Sequence, residues 1–230
     1  MNPIENIILK NQPKFETWEH QLGEHLLLQY EPGAVEAEAD RERIFFQTNE
    51  LLISIAENFF SYGKFKDKWD TSKCSLFPFG QYILLRSEKM DINFNWGIEL
   101  NNFYLETFII YPENLRFMND DFWAALLEMK GLGEFQYSVG GLNAEERRYF
   151  ENKTSTVFQM IRTFMLYQVN QSKAAYSDHN YLDLGTLTIK WPMSNNWANL
   201  LQNTCNAFRL LYNLNYQLWK ISDLASKKIK

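Results

Sequence analysis

Ile92-Asn93-Phe94-Asn95-Trp96-Gly97-Ile98-Glu99-Leu100 alternates apolar and polar residues without a break. A period of two marks a strand with one buried face. Asn101-Asn102 follows, and asparagine tolerates the positive φ that a two-residue hairpin turn requires. Phe103, Leu105, Thr107 and Ile109 then keep the apolar phase until Pro112, which cannot donate to a ladder. With the turn at Asn101-Asn102, Leu100 faces Phe103, Ile98 faces Leu105 and Trp96 faces Thr107. Trp96 is thereby a core anchor, with the Ile55 and Phe59 stripe as its neighbour in a helix layer. Tyr82 to Arg86 reads as a further strand, joined through Ser87-Glu88-Lys89 and completing a meander over about 76–111.

Outward from this meander the periodicity turns helical. Phe15, Trp18, Leu22 and Leu26 predict a helix over about 14–30, closed by Glu31-Pro32-Gly33. Ile44, Thr48, Leu51, Leu52, Ile55, Phe59 and Tyr62 predict a long second helix with Gly63 as its stop. Residues 64–73 read as a charged, exposed connection containing Trp69. Asn119 or Asp120 caps a short helix through Met129, and a strand follows over 134–139. Asn143 with Glu146 resembles a capping box opening a helix to about Asn170. A strand over 182–191, bulged at Gly185, precedes a helix capped by Asn195 or Asn196, with a frayed lysine tail. The expected fold is α+β: a mostly antiparallel sheet covered on one face by four or five helices. It reads as one domain over 1–230, with a helical portion at 1–63, a sheet-containing core at 76–191 and a C-terminal helix at 195–222.

Composition narrows the function classes. Eighteen Phe, twelve Tyr and seven Trp supply a core rich in aromatic rings. A net charge of −5 argues against sequence-independent binding of phosphate backbones, which needs clustered Lys and Arg. A local basic groove remains compatible with it. No stretch approaches the ~18 uninterrupted apolar residues of a membrane helix, and Met1 to Asn6 carries no basic n-region. The expected setting is cytoplasmic, with Cys74 and Cys205 reduced and buried.

Residues for acid–base chemistry are few. Glu16 and His20 share a helix face, but two ligands are too few for a metal, and His20 and His25 point to different faces. Both read as surface positions. His179 follows Asp178 in a polar loop. Asp91, Glu99 and Glu106 are the carboxylates best placed for catalysis, because Glu99 and Glu106 fall on the polar face of the sheet beside Asn93 and Asn95. Such a set could hold Mg²⁺. A metal-dependent nuclease of the PD-(D/E)xK kind needs an Asp and then Glu-x-Lys on a neighbouring strand. Here Glu99-Leu100-Asn101 lacks the lysine, and Glu128-Met129-Lys130 lies on a helix. Gly80-Gln81 with Asp91-Ile92-Asn93 departs from the nucleotidyltransferase pattern at two diagnostic positions.

With each motif incomplete, the leading expectation is a non-catalytic protein-binding module needing no cofactor. A bacterial immunity or antitoxin-type protein, or an accessory subunit of a defence system, fits the acidic balance, the many Asn and the aromatic surplus. The alternative is a metal-dependent nuclease or nucleotide-handling enzyme using Asp91, Glu99 and Glu106.

Overall fold

The computed structural model describes residues 2–30, 38–138, 160–161, 164–165, 185–194 and 196–228. It has an α+β fold, with, among the described residues, an open antiparallel sheet of seven strands and five α-helices given with their full ranges. The helices are α1 (Pro3–Asn11), α2 (Phe15–Tyr30), α3 (Glu38–Gly63), α4 (Asp120–Glu128) and α5 (Trp197–Lys228). The strands are β1 (Trp69–Asp70), β2 (Cys74–Phe77), β3 (Gly80–Ser87), β4 (Ile92–Glu99), β5 (Asn102–Phe108), β6 (Glu134–Ser138) and β7 (Thr186–Pro192). Their order is β1-β3-β4-β5-β7-β6, with β2 also paired to β3. The chain divides into two compact units, 1–105 with 190–209 and 106–189 with 210–230.

In the first unit β3 runs antiparallel to β4, from Gly80 opposite Glu99 to Ser87 opposite Ile92. The alternation of β4 is honoured: Ile92, Phe94, Trp96 and Ile98 are all buried. Trp96 is 0% exposed. Its ring stacks on Phe103 at 5.4 Å and meets Phe59 edge-on at 5.1 Å, as the helix-layer expectation required. Its Nε1–H donates to the Leu52 carbonyl of α3 at 3.1 Å, so the buried indole leaves no donor unpaired. Phe208 of α5 stacks on Phe59 at 5.1 Å, and Trp197 packs on Trp18 of α2.

Several local details differ from expectation. The β4–β5 turn is Leu100-Asn101, not Asn101-Asn102, and the positive φ (51°) falls on Leu100. Leu100 therefore leaves the apolar face that its place in the alternation assigned to it. Residues 64–73 are not simply an exposed connection. Trp69 pairs with Ser87 in β1, and its ring stacks on Phe60 at 4.6 Å. Gly63 ends α3, but the left-handed position is Lys64 (φ 47°), whose N–H donates to the Phe60 carbonyl. A Cβ at Gly63 would overlap the Phe65 ring in its present position, so the ring would have to move. At the N-terminus Asn2 and Glu5 form a capping box that opens α1.

In the second unit Asn119 caps α4, accepting from the Phe122 N–H at 3.3 Å, and α4 buries Phe122 and Leu126. Asn114 Nδ2 donates to the Leu218 carbonyl and to Ser222 Oγ, and Asn215 Oδ1 accepts from the Ile110 N–H. β7 begins at Thr186, after Gly185, whose φ of 111° only glycine adopts readily. Of the tail expected over 227–230, Lys227 and Lys228 are helical and Lys227 pairs with Asp223, while Ile229 and Lys230 lie outside the described residues. The helix expected over about 143–170 lies outside the described residues except at Met160, Ile161, Phe164 and Met165, which are helical.

Candidate protein-binding surface

Of the carboxylates singled out from the sequence, Asp91 and Glu99 lie at opposite ends of β4. Asp91 (φ 54°) lies just before β4 and holds Arg86, Oδ1 to Nη2, at 2.6 Å. Glu99 closes the other end of β4, eight residues on, which at ~3.3 Å per residue is about 26 Å away. It pairs with Lys190 Nζ at 2.7 Å. Glu106 belongs to the second unit, where it accepts from Thr188 Oγ1 at 3.1 Å. Among the described residues no three His, Cys, Asp or Glu side chains gather to hold a metal ion.

The histidines and cysteines divide by burial. His20 is exposed, and its nearer carboxylate is Glu24 at 3.9 Å rather than Glu16. His25 is not a surface residue: it is 1% exposed, with Nδ1 3.4 Å from Thr48 Oγ1 and Nε2 without a hydrogen-bond partner among the described residues. Burial lowers its pKa to about 4, so it is neutral at pH 7. Cys205 is buried, which pushes its thiol up to about 12 and leaves it inert. Cys74 is exposed on β2, contrary to expectation. His179 lies outside the described residues.

What the sequence did not announce is an apolar apex built by two neighbouring turns. Phe79, between β2 and β3, is 54% exposed with φ 66°, and Leu100, between β4 and β5, is 50% exposed with φ 51°. The Leu100 N–H donates to the Phe79 carbonyl at 2.8 Å, which locks the two turns together. Leu76, 56% exposed, stands on β2 three residues before Phe79. A left-handed backbone costs an L-residue about 1–2 kcal/mol, and bulky side chains are uncommon there. Both residues therefore combine a strained backbone with an apolar side chain that is about half exposed to water.

Beside the apex runs a groove of about 640 Å³, lined by Leu22, Gly23 and Leu26 of α2 and by Asn101, Met193 and Trp197. Asn101 is the second residue of the Leu100 turn, so groove and apex adjoin. The lining is mostly apolar with amide and hydroxyl rims, and Glu19 is its one charged residue. No acid–base pair converges on it. It can take apolar side chains and hydrogen-bond around them. No protein-family model, no curated protein and no solved structure matches this chain. Among the described residues no helix is long and apolar enough to cross a membrane.

Proposed function

We propose that this chain is a non-catalytic protein-binding module, an immunity or antitoxin-type protein or an accessory subunit of a bacterial defence system, acting in the cytoplasm. The observation that carries the binding role is the apex: Phe79 and Leu100 hold strained backbones and present exposed apolar side chains side by side. Strain of this kind persists where it serves a function, and apolar anchors ringed by uncharged hydrogen-bonding groups are the usual energetic centre of an interface. The adjoining groove supplies the concave part of the same surface. The acidic net charge adds long-range attraction toward a basic partner, such as a toxin that binds nucleic acid.

The test is a paired affinity purification from the source organism, with the parent chain and a Phe79→Ser/Leu100→Ser double variant as baits. The parent is expected to retain one partner in stoichiometric amount. The variant, with its circular dichroism spectrum unchanged, loses at least tenfold of it. Retention of the partner by the double variant sinks the proposed surface. Nuclease or nucleotidyl-transfer activity that is Mg²⁺-dependent and abolished by Glu99→Gln would overturn the non-catalytic reading itself.

A further inference from the structure

β2 lies at an edge of the sheet and pairs only with β3 among the described strands. The Leu84 N–H donates to the Lys73 carbonyl at 2.8 Å, with Cys74 opposite Ile83, Ser75 opposite Tyr82, Leu76 opposite Gln81 and Phe77 opposite Gly80. Hydrogen-bonded and non-bonded pairs alternate along an antiparallel ladder. Lys73, Ser75 and Phe77 therefore turn their backbone groups toward β3. Cys74 and Leu76 turn theirs outward, leaving two N–H donors and two C=O acceptors for an added strand.

The length of this free edge is limited on both sides. Upstream, Asp70 Oδ1 accepts from the Ser72 N–H and hydroxyl, a local turn that breaks the line between β1 and β2. Those two bonds also hold the Asp70 carboxyl below the usual carboxylate range. Downstream stands Pro78, which has no N–H. The uninterrupted stretch is Lys73-Cys74-Ser75-Leu76-Phe77, five residues centred on Ser75.

We infer that β2 is a self-pairing edge, joining two copies of this chain antiparallel about a two-fold axis at Ser75. That register uses all the outward groups: Cys74 exchanges both of its bonds with Leu76 of the second copy, and Leu76 with its Cys74, four hydrogen bonds in all. The side chains suit the same register. On one face the exposed Leu76 and Cys74 of each copy meet their counterparts, apolar against apolar. On the other, Lys73 comes beside Phe77 of the second copy, a cation against an aromatic ring, twice by symmetry. Ser75 faces Ser75 on the axis, where cross-strand hydroxyls can hydrogen-bond. A shift of one residue would point carbonyl at carbonyl, and a shift of two would leave half the outward groups unpaired. The ribbon is smaller than the roughly 1,200 Å² of a standard interface, so the dimer is reversible, with Kd on the order of 10–100 µM. This inference rests on the β2 edge rather than on the Phe79 and Leu100 turns, and Leu76 borders both surfaces.

The experiment is sedimentation equilibrium of the full chain from about 1 µM to about 1 mM, spanning the expected Kd. The parent is expected to pass from monomer to dimer across that range. Cys74→Pro removes an outward N–H and none of the bonds to β3, so it weakens the dimer at least tenfold with an unchanged urea midpoint. A second variant reads the register directly. In a Cys74→Ser background, Ser75→Cys places two thiols across a non-bonded antiparallel pair about 4.5 Å apart in Cα, within disulfide reach. Mild oxidation is expected to cross-link it nearly completely, while Ser72→Cys in the same background stays monomeric. A parent that remains monomeric at 1 mM overturns the inference. So does a Ser75→Cys variant that does not cross-link, or a dimer indifferent to Cys74→Pro.

Discussion

At Leu100 and Phe79 backbone conformation and side-chain chemistry pull in opposite directions. Glycine adopts φ of 51° or 66° freely, and Leu100, half exposed, is not part of the core. Relief of about 1–2 kcal/mol of left-handed strain exceeds the extra chain entropy of glycine, about 0.5–1 kcal/mol. Leu100→Gly is expected to raise Tm by about 1–3 °C for a chain of this size, while weakening partner binding at least tenfold. Differential scanning calorimetry beside the affinity purification checks both. A fall in Tm means that this side chain stabilises the fold.

His25 makes a second residue-scale prediction. Its folded-state pKa is about 4 against 6.5 for a free imidazole, because burial disfavours the charged ring. Between those values the unfolded chain binds a proton that the folded chain does not, so stability rises with pH through this window. The contribution is complete above about pH 6.5 and is lost progressively as pH falls to about 4, some 3 kcal/mol in all. His25→Leu is expected to flatten the slope of urea-unfolding free energy between pH 4 and 6.5. An equal slope in both proteins would show that other groups set the pH dependence.

At the scale of elements, what the sequence disclosed depended on length and on whether local signals agreed with distant ones. β4 alternates over eight residues with Ile92, Phe94, Trp96 and Ile98 buried, and α3 and α5 carry long apolar stripes; all three were legible. β1 and β2, two and four residues long, are too short to show a period and form only because β3 offers partners. α1 was announced by Asn2-Pro3-Ile4-Glu5, a capping box with proline at the first helical position that was legible but unread. The Leu100 turn was not readable in principle. Asn101-Asn102 offers the better turn chemistry, but the bond from the Leu100 N–H to Phe79 in the neighbouring turn places the bend one residue earlier. The apex was hidden for the same reason, since an apolar residue in strand phase looks like core.

α2 contains a simpler case of local cost. Gly23 sits in the helix interior, and a Cβ built on it meets nothing within 4 Å. Gly23→Ala removes backbone entropy from the unfolded chain and strains nothing, a gain of about 0.5–1 kcal/mol. Chemical denaturation is expected to show that gain with an unchanged m-value. A loss of stability would mean that the groove floor tolerates no methyl group.

For the whole molecule, the consequential fact is that neither compact unit is a continuous stretch of chain. The first unit draws its last twenty residues from 190–209, and those residues fill its centre. Trp191 meets Trp96 at 6.2 Å, Trp197 packs on Trp18 at 5.1 Å, and Phe208 touches Phe59, Phe94 and Trp69. A fragment of residues 1–105 keeps all of α1–α3 and β1–β4 but loses these three aromatic side chains. Each counts about 3–5 kcal/mol by the usual cost of truncating a buried aromatic, so together they remove at least about 9 kcal/mol from a total stability of about 5–15. The fragment is expected to lack near-ultraviolet circular dichroism and a cooperative urea transition, although its long helices keep some far-ultraviolet signal. Adding a peptide of residues 190–209 at high concentration is expected to restore part of the near-ultraviolet signal, because it returns those rings to their seats. If residues 1–105 unfold cooperatively on their own, the centre of the unit is complete without α5, and the aromatic cluster around Phe208 contributes far less than its burial implies.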